Sequence, residues 1–420
     1  MTKAVTAALW CAIILWACPS GGVFAATDRA EAAPAGAKNA PADISRDIVD
    51  ATMARLPFAT DHGKWEYSQA LFLLGDISVY DRTHEPQYLD YAKAWADFHI
   101  DSQGVVDRPI DALDFVMPGN VAISLYRETG DKKYKLAADR VAEILKDYPK
   151  TGDGGLWHAK GSGREHQLWL DGTFMAEPFI VRYGALTGHQ DAAITAAVQQ
   201  LSIYGLHLHD ENGPLYFHAY DSSGQASWAD PVHHHSPVKW SRAIGWYCMS
   251  LVDVLEAMPA SPANEKQNAE RQELIKLVQD AARDLVALQD PTTGLWFQII
   301  DQPKLKGNFL ETSGSSMFTY FLDSAVNHGY IDSRYRSAAQ HGYQGVLSKV
   351  ILGPDGHYHV TDICEGTNVD DQVSYYLTRE RHADDFHGLG AFLLMNEELL
   401  YHRSIMDDAL PAHDMQSQRP

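Results

Sequence analysis

Residues 129–157, TGDKKYKLAADRVAEILKDYPKTGDGGLW, hold the pattern that decides the fold. The turn Thr129-Gly130-Asp131 stops one helix and starts the next, because glycine suits a left-handed C-cap and aspartate an N-cap. From Tyr134 onward Ala138, Val141, Leu145 and Tyr148 recur three or four residues apart, which draws one apolar stripe along one helix face. The stretch closes on Gly155-Leu156-Trp157, a glycine followed by residues able to form a short strand.

Both signals repeat along the chain. Similar stripes run through Tyr88, Tyr91, Trp95, Phe98, through Ile194, Val198, Leu201, and through Tyr335, Ala339, Tyr343, Val346, Val350. Tight turns recur at Thr187-Gly188-His189 and His328-Gly329-Tyr330. The glycine-plus-aromatic connection recurs at Gly104, Gly213, Gly294 and Gly356, so that successive glycines, Gly155 included, stand 51, 58, 81 and 62 residues apart. A unit near 60 residues holds one helical hairpin, and the roughly 360 residues from Ile44 to His402 hold six. The expected fold is therefore all-α, an (α/α)6 barrel of six hairpins with short aromatic strand-like loops on one rim. An irregular helical array is the alternative.

Composition bounds the function. The 420 residues are 45% hydrophobic and 21% charged, which suits a large globular core and excludes a disordered or low-complexity chain. Thirty-four Lys and Arg against 55 Asp and Glu give −21 with no basic block, so nucleic acid and anionic membrane surfaces are poor partners. Four cysteines exclude a disulfide scaffold. Lys3, the apolar run Ala4–Ala17 and the small residues around Ala25 read as an export signal over 1–25, whose removal brings the charge to −22. The organisation expected is then a flexible Ala- and Pro-rich lead-in over 26–42, a catalytic barrel over 43–405 and a tail over 406–420. The protein is expected to be periplasmic or secreted, with no membrane contact once the signal is gone.

If every glycine connection leaves from the same end of its hairpin, chemistry-bearing residues collect on one rim. Asp111 and Asp114 follow Gly104; His158, His166, Trp169 and Asp171 follow Gly155; His218 follows Gly213. Asp301, Asn308 and Glu311 follow Gly294, and Asp362, Glu365, Asp370 and Asp371 follow Gly356. Carboxylates, imidazoles and tryptophans converging in this way make a polar cleft with aromatic platforms, suited to a sugar.

The blocks WHAKGSGREHQLWLDGTFMAEPFIVRYG (157–184), WSRAIGWY (240–247), DPTTGLWFQIID (290–301), GNFLETSGSSMFTYFL (307–322), CEGTNVDD (364–371) and DFHGLGAFLL (385–394) resemble, in this order, the unsaturated uronyl hydrolases, in particular the unsaturated rhamnogalacturonyl hydrolase branch. The resemblance implies a six-hairpin barrel, in agreement with the repeat count. It also implies release of a 4,5-unsaturated uronic acid from the non-reducing end of oligosaccharides made by a polysaccharide lyase. Rhamnose is the commonest following sugar in the branch, with ulvan, glucuronan and arabinogalactan fragments as alternatives.

Carried over residue by residue, the resemblance makes Asp171 of the WLDG block the catalytic acid and base and Asp114 a second family aspartate. A carboxyl that gives a proton to C4 and takes one from water must start protonated near neutral pH, so its pKa is expected to be raised by burial or by the Asp114 charge. The cap readings are that Asp171 serves the helix near Thr173 and Asp114 the helix after Gly119. Trp240, Arg242 and Trp246 offer a cation for the uronate carboxylate and a flat face for the ring, Arg242 and Trp246 being four apart on one helix. Tyr67, His218 and His158 match further pocket positions, although the segment from His158 to Asp171 is longer than the family's usual form.

No cofactor is expected. The run His233-His234-His235 lacks a suitably spaced Cys or acidic partner, so no metal is expected there. Asp370-Asp371 and Asp384-Asp385 read as solvated caps, and Cys248 reads as core. Two other function classes fit the same rim. One is a conventional inverting glycosidase using Asp114 and Asp171 on a saturated bond; the other is a non-catalytic sugar-binding protein.

Overall fold

The computed structural model describes residues 43–57 and 63–407. The expected signal segment, the lead-in and the tail beyond Asp407 lie outside the described residues. Met406, the first residue of the expected tail, is buried.

Six helices begin at one rim and descend side by side: α2 (Tyr67–Thr83), α4 (Gly119–Thr129), α6 (Asp171–Thr187), α8 (Ser241–Glu256), α10 (Thr312–Asn327) and α13 (Phe386–Tyr401). Each packs against the next, and α13 packs along α2, which closes the ring. Their apolar residues run all the way round, so they suit an inner layer: every residue of α8 is buried, including Trp246, Tyr247 and Met249. A second set returns outside them: α3 (Pro86–His99), α5 (Lys132–Lys146), α7 (Gln190–Leu208), α9 (Glu265–Leu288) and α11 (Arg336–Leu347). These carry a single stripe. On α5 Tyr134, Ala137, Ala138 and Val141 are buried, whereas Leu145, expected in the same stripe, is half-buried. The sixth outer helix is α1 (Ile44–Arg55), which packs against α13, so the last hairpin is made from both ends of the barrel sequence.

Inner helices hand over to outer ones through tight turns. Gly130 and Gly188 are the C-caps of α4 and α6 at φ 69° and 75°, where a side chain would be strained. Outer helices hand back to inner ones through the long connections, so all of these lie on the rim where the inner helices start. That arrangement points the positive ends of six helices at one rim.

Two expectations need correction. Phe98, placed in a buried stripe, is 55% exposed, and His99 takes the inward position. Val350, placed at the end of a helical stripe, instead opens β3 (Val350–Leu352), because α11 stops at Leu347 and the chain turns back to pair with β4 (Tyr358–Val360). Of the five glycine-plus-aromatic motifs themselves only this one enters a regular strand; those at Gly104, Gly155, Gly213 and Gly294 make isolated bridges such as Lys150 with Leu156. The other strands are β1 (Gln167–Trp169) with β2 (Ala219–Asp221), and β5 (Ile363–Cys364) with β6 (Arg381–His382). A short helix, α12 (Val373–Leu377), lies in the last connection.

Candidate active site

The antiparallel pairing of β1 with β2 sets the centre of the rim. Trp169 stands opposite Ala219, and the Leu170 N–H donates to the carbonyl of His218 at 3.0 Å. Asp171, one residue later, is the first residue of α6, and its Oδ2 lies 3.3 Å from His218 Nε2. The other ring nitrogen, Nδ1, is 2.9 Å from the Tyr376 hydroxyl of α12, which accepts from the Asp370 N–H at 3.2 Å. His218 is fully buried.

Asp114 comes from a different element. It sits in a single 3-10 turn, Leu113–Phe115, fixed on both sides: the Leu113 N–H donates to the carbonyl of His158 at 2.9 Å, and Trp65 Nε1 donates to the carbonyl of Phe115 at 3.0 Å. His158 Nε2 lies 3.8 Å from Asp114 Oδ2, and its ring stacks on Trp169 with 4.3 Å between centroids. Neither aspartate side chain caps a helix. The residues flanking α4 and α6 at their N-termini are Pro118 and Leu170, and neither makes a side-chain cap bond.

The protonation states differ from expectation. Burial pushes Asp171 up, but the adjacent His218 and then His158 outweigh it and hold the carboxyl below its usual range. Burial pushes Asp114 up to about 7, against Arg164 and with the help of the Asp171 charge. Asp171 was the carboxyl expected to hold the proton, and Asp114 to supply the repelling charge; the two shifts run the other way, because His218 lies 3.3 Å from Asp171, whereas Asp114 is dominated by burial and meets a His158 that is itself pushed down to about 3. His158 is pushed down to about 3 by burial and by Arg164, so at neutral pH its contact with Asp114 is not a salt bridge.

Arg242 is completely buried at the start of α8, with its guanidinium 4.5 Å over the Trp240 ring. Its terminal nitrogens are engaged: Nη1 donates to the carbonyl of Cys364 and at 3.3 Å to Ser313, and Nη2 donates to the carbonyl of Glu365 at 2.7 Å. Only Nε lacks a partner. The sequence reading aimed this cation at the uronate carboxylate; here its fork holds the last connection in place. Trp240 donates to Gln298 Oε1 at 3.0 Å, and Gln298 Nε2 reaches the Tyr376 carbonyl at 3.2 Å. Trp246 stacks on Phe174 and meets the Tyr67 ring edge-on at 6.2 Å, so all eight candidate positions gather at this rim.

Other expected rim residues have structural partners. Glu311 is buried and accepts from the N–H groups of Ser313, Gly314 and Cys364, as the N-cap of α10. Asp385 caps α13, and Asp384 accepts from Arg55 at 2.9 Å. His235 stacks on Phe217 and faces Asp230 at 3.3 Å, and among the described residues no three His, Cys, Asp or Glu groups are arranged to hold a metal. Cys248 and Cys364 are both free and buried. Sequence reasoning missed Tyr376, Gln298 and Arg164. Gln298 and Arg164 lay inside quoted blocks, Arg164 in the one that holds Asp171, whereas nothing in the sequence near Tyr376 joins it to Asp171.

Comparison with family models matches residues 44–402 to Glycosyl Hydrolase Family 88. The chain belongs to this family. As a family 88 glycoside hydrolase it is similar to the unsaturated rhamnogalacturonyl hydrolase YesR of Bacillus subtilis, at 27% identity over 256 residues, covering 60% of this chain and 68% of that protein. Among solved structures, a family 105 glycoside hydrolase of C. acetobutylicum superposes with a TM-score of 0.78 at 29% identity, over 84% of this chain and 98% of the other. The unsaturated glucuronyl hydrolase of Bacillus sp. GL1 superposes at 0.61 over 86% and 96% of the two chains; at 14% identity it shows the shared toroid alone.

Proposed function

We propose that this glycoside hydrolase releases a 4,5-unsaturated uronic acid from the non-reducing end of lyase-made oligosaccharides, with unsaturated rhamnogalacturonan fragments as the favoured substrate. The observation that carries the reading is two carboxyls brought to the head of the inner ring in unlike surroundings, Asp171 3.3 Å from His218 and Asp114 3.8 Å from His158, with Asp171 held low and Asp114 pushed up to about 7 in keeping with that geometry. The rhamnogalacturonyl hydrolase named above supports the substrate class.

The chemistry needs one proton given and one taken. Asp114 gives its proton to C4 of the enol ether while water adds at C5 and passes a proton to Asp171. The C5 hemiketal then opens by breaking the bond to the ring oxygen, which becomes the C1 aldehyde oxygen as the aglycone departs as an alcohol. The net change is addition of one water. His218 holds Asp171 ionised before the step, and Trp240 and Trp246, both buried, support the residues around it.

An inverting glycosidase would also use one protonated and one ionised carboxyl, so substrate chemistry has to separate the two. A sulfur-linked unsaturated uronide should be cleaved with loss of the enol-ether ultraviolet absorbance, and its saturated oxygen-linked analogue should be inert. The opposite result would make the chain a conventional glycosidase. Export belongs to the same reading, supported by Lys3 and the apolar run Ala4–Ala17. Fractionation of the producing cell tests it, and an enzyme retained in the cytoplasm would refute it.

A further inference from the structure

The loop from His158 to Trp169 is braced by its own side chains. Ser162 and His166 adopt left-handed backbone at φ 64° and 68°, a conformation that costs of order 1 kcal/mol or more for residues other than glycine. Side chains brace it: Gln167 Nε2 donates to the carbonyl of Gly163 at 2.8 Å, Gln167 Oε1 accepts from Trp169 Nε1 at 2.9 Å, and the His166 ring packs on Trp157 at 4.2 Å. Strain maintained by packing at a site rim is characteristic of functional segments.

This loop presents Arg164. Its guanidinium lies 4.5 Å over the Trp169 ring, and Nη2 donates at 2.7 Å to Asn368 of the last connection, so the side chain bridges two loops of the rim. Burial falls off along the stack, from His158 at 1% exposure and Trp169 at 5% to the half-buried Arg164, which therefore lies on its outer side. Nε and Nη1 have no protein acceptor among the described residues. A planar cation fixed in this way, with two donors left over, is suited to a carboxylate or sulfate. Arg242 cannot serve at this place, since its terminal nitrogens hold the carbonyls of Cys364 and Glu365.

We propose that Arg164 recognises an acidic substituent, a carboxylate or a sulfate ester, on the sugar that follows the terminal uronate. This rests on the uronyl hydrolase reading and adds a charge preference at the mouth of its pocket. In a chain of net charge −21, a fixed cation at the entrance also offsets the repulsion an acidic oligosaccharide meets on approach.

The test uses the whole chain, wild type, Arg164→Ala and Arg164→Lys, with three unsaturated disaccharides in which the second sugar is neutral rhamnose, rhamnose bearing a sulfate ester, or a uronic acid. Wild type should favour at least one acidic disaccharide over the neutral one by roughly ten- to a hundredfold in kcat/KM, the effect of a hydrogen bond to a charged group. The favoured acid tells sulfate from carboxylate. Arg164→Ala should bring the acidic-to-neutral ratio close to one, mainly through KM, and Arg164→Lys should restore part of it. Using the ratio removes any effect of the lost charge on Asp114, which acts on all three substrates alike. No preference in wild type, or a ratio unchanged in Arg164→Ala, would overturn the inference while leaving the uronyl hydrolase reading intact. Wild type inert toward all three would overturn both.

Discussion

The Tyr376 hydroxyl meets His218 Nδ1 at 2.9 Å while accepting the Asp370 N–H at 3.2 Å. With its oxygen already accepting, the hydroxyl has its own proton to donate, so Nδ1 is the acceptor and a neutral His218 carries its hydrogen on Nε2. That hydrogen faces Asp171 Oδ2 at 3.3 Å. Tyr376 thus selects the tautomer that favours an ionised Asp171.

Tyr376→Phe should therefore lower kcat by roughly tenfold to a hundredfold with little change in KM, a fraction of what a positioned proton-transfer group contributes. The sign of the pH effect follows from Asp171. Its pKa is depressed by His218, so losing the correct tautomer raises it, and the acid limb of the kcat profile should move to higher pH. A slower enzyme with an unmoved acid limb would leave Tyr376 a purely structural role.

Asp171→Asn should fold, bind substrate and lose two to four orders of magnitude in rate, roughly the contribution of a general base. Asp114→Asn should be comparably slow and should also lose the alkaline limb. Asp114 titrates near 7, so an enzyme that needs it protonated loses activity as pH rises through that value. Melting curves together with initial rates by ultraviolet absorbance from pH 5 to 9 check both variants, and near-wild-type turnover by either folded variant would remove that residue from the proton transfers.

Arg242→Ala should reveal a residue that holds the site together. Removing the fork that ties down the carbonyls of Cys364 and Glu365 frees the connection carrying Tyr376, so the melting temperature and kcat should fall along with affinity. Saturation kinetics beside a thermal melt separate this from the reading in which the guanidinium meets only substrate. That reading requires a raised KM with an unchanged melting temperature.

At the far end of the barrel Asp253 is completely buried, accepts one hydrogen bond from the Tyr320 hydroxyl at 2.8 Å, and is pushed up to about 7 by burial. A carboxyl whose folded pKa exceeds its unfolded value of about 3.9 loses stability as pH rises between the two, here by roughly 4 kcal/mol. Asp253→Asn removes that ionisation. It should melt several degrees higher than wild type at pH 8, with only about a third of that free-energy difference left at pH 5. Parallel melting curves at the two pH values would refute the assignment.

The order of elements was legible because periodicity is a local property. The stripe on α5, the glycine caps of α4 and α6 and the six-fold count follow from spacings of three, four and about sixty residues, which depend on no distant contact. Phe98 shows the limit: its spacing fits the stripe, but only the packed neighbour tells which of Phe98 and His99 turns inward. That Asp171 and Asp114 stand on one rim was likewise expected from the glycine connections they follow.

Their protonation states were not. A pKa is set by charges and burial within a few ångströms: His218 reaches Asp171 from a later connection, and Arg164 and Asp171 reach Asp114 from a different one. The partners of Arg242 lie 122 and 123 residues away in sequence, the Tyr376–His218 contact spans 158, and the Arg164–Asn368 bridge spans 204. The sequence by itself determined a ring of helical hairpins with carboxylates, imidazoles and tryptophans on one rim. Only closing that ring decided which carboxyl holds the proton, which arginine braces the site and which faces its mouth, because each depends on contacts between connections that the chain brings together at its last fold.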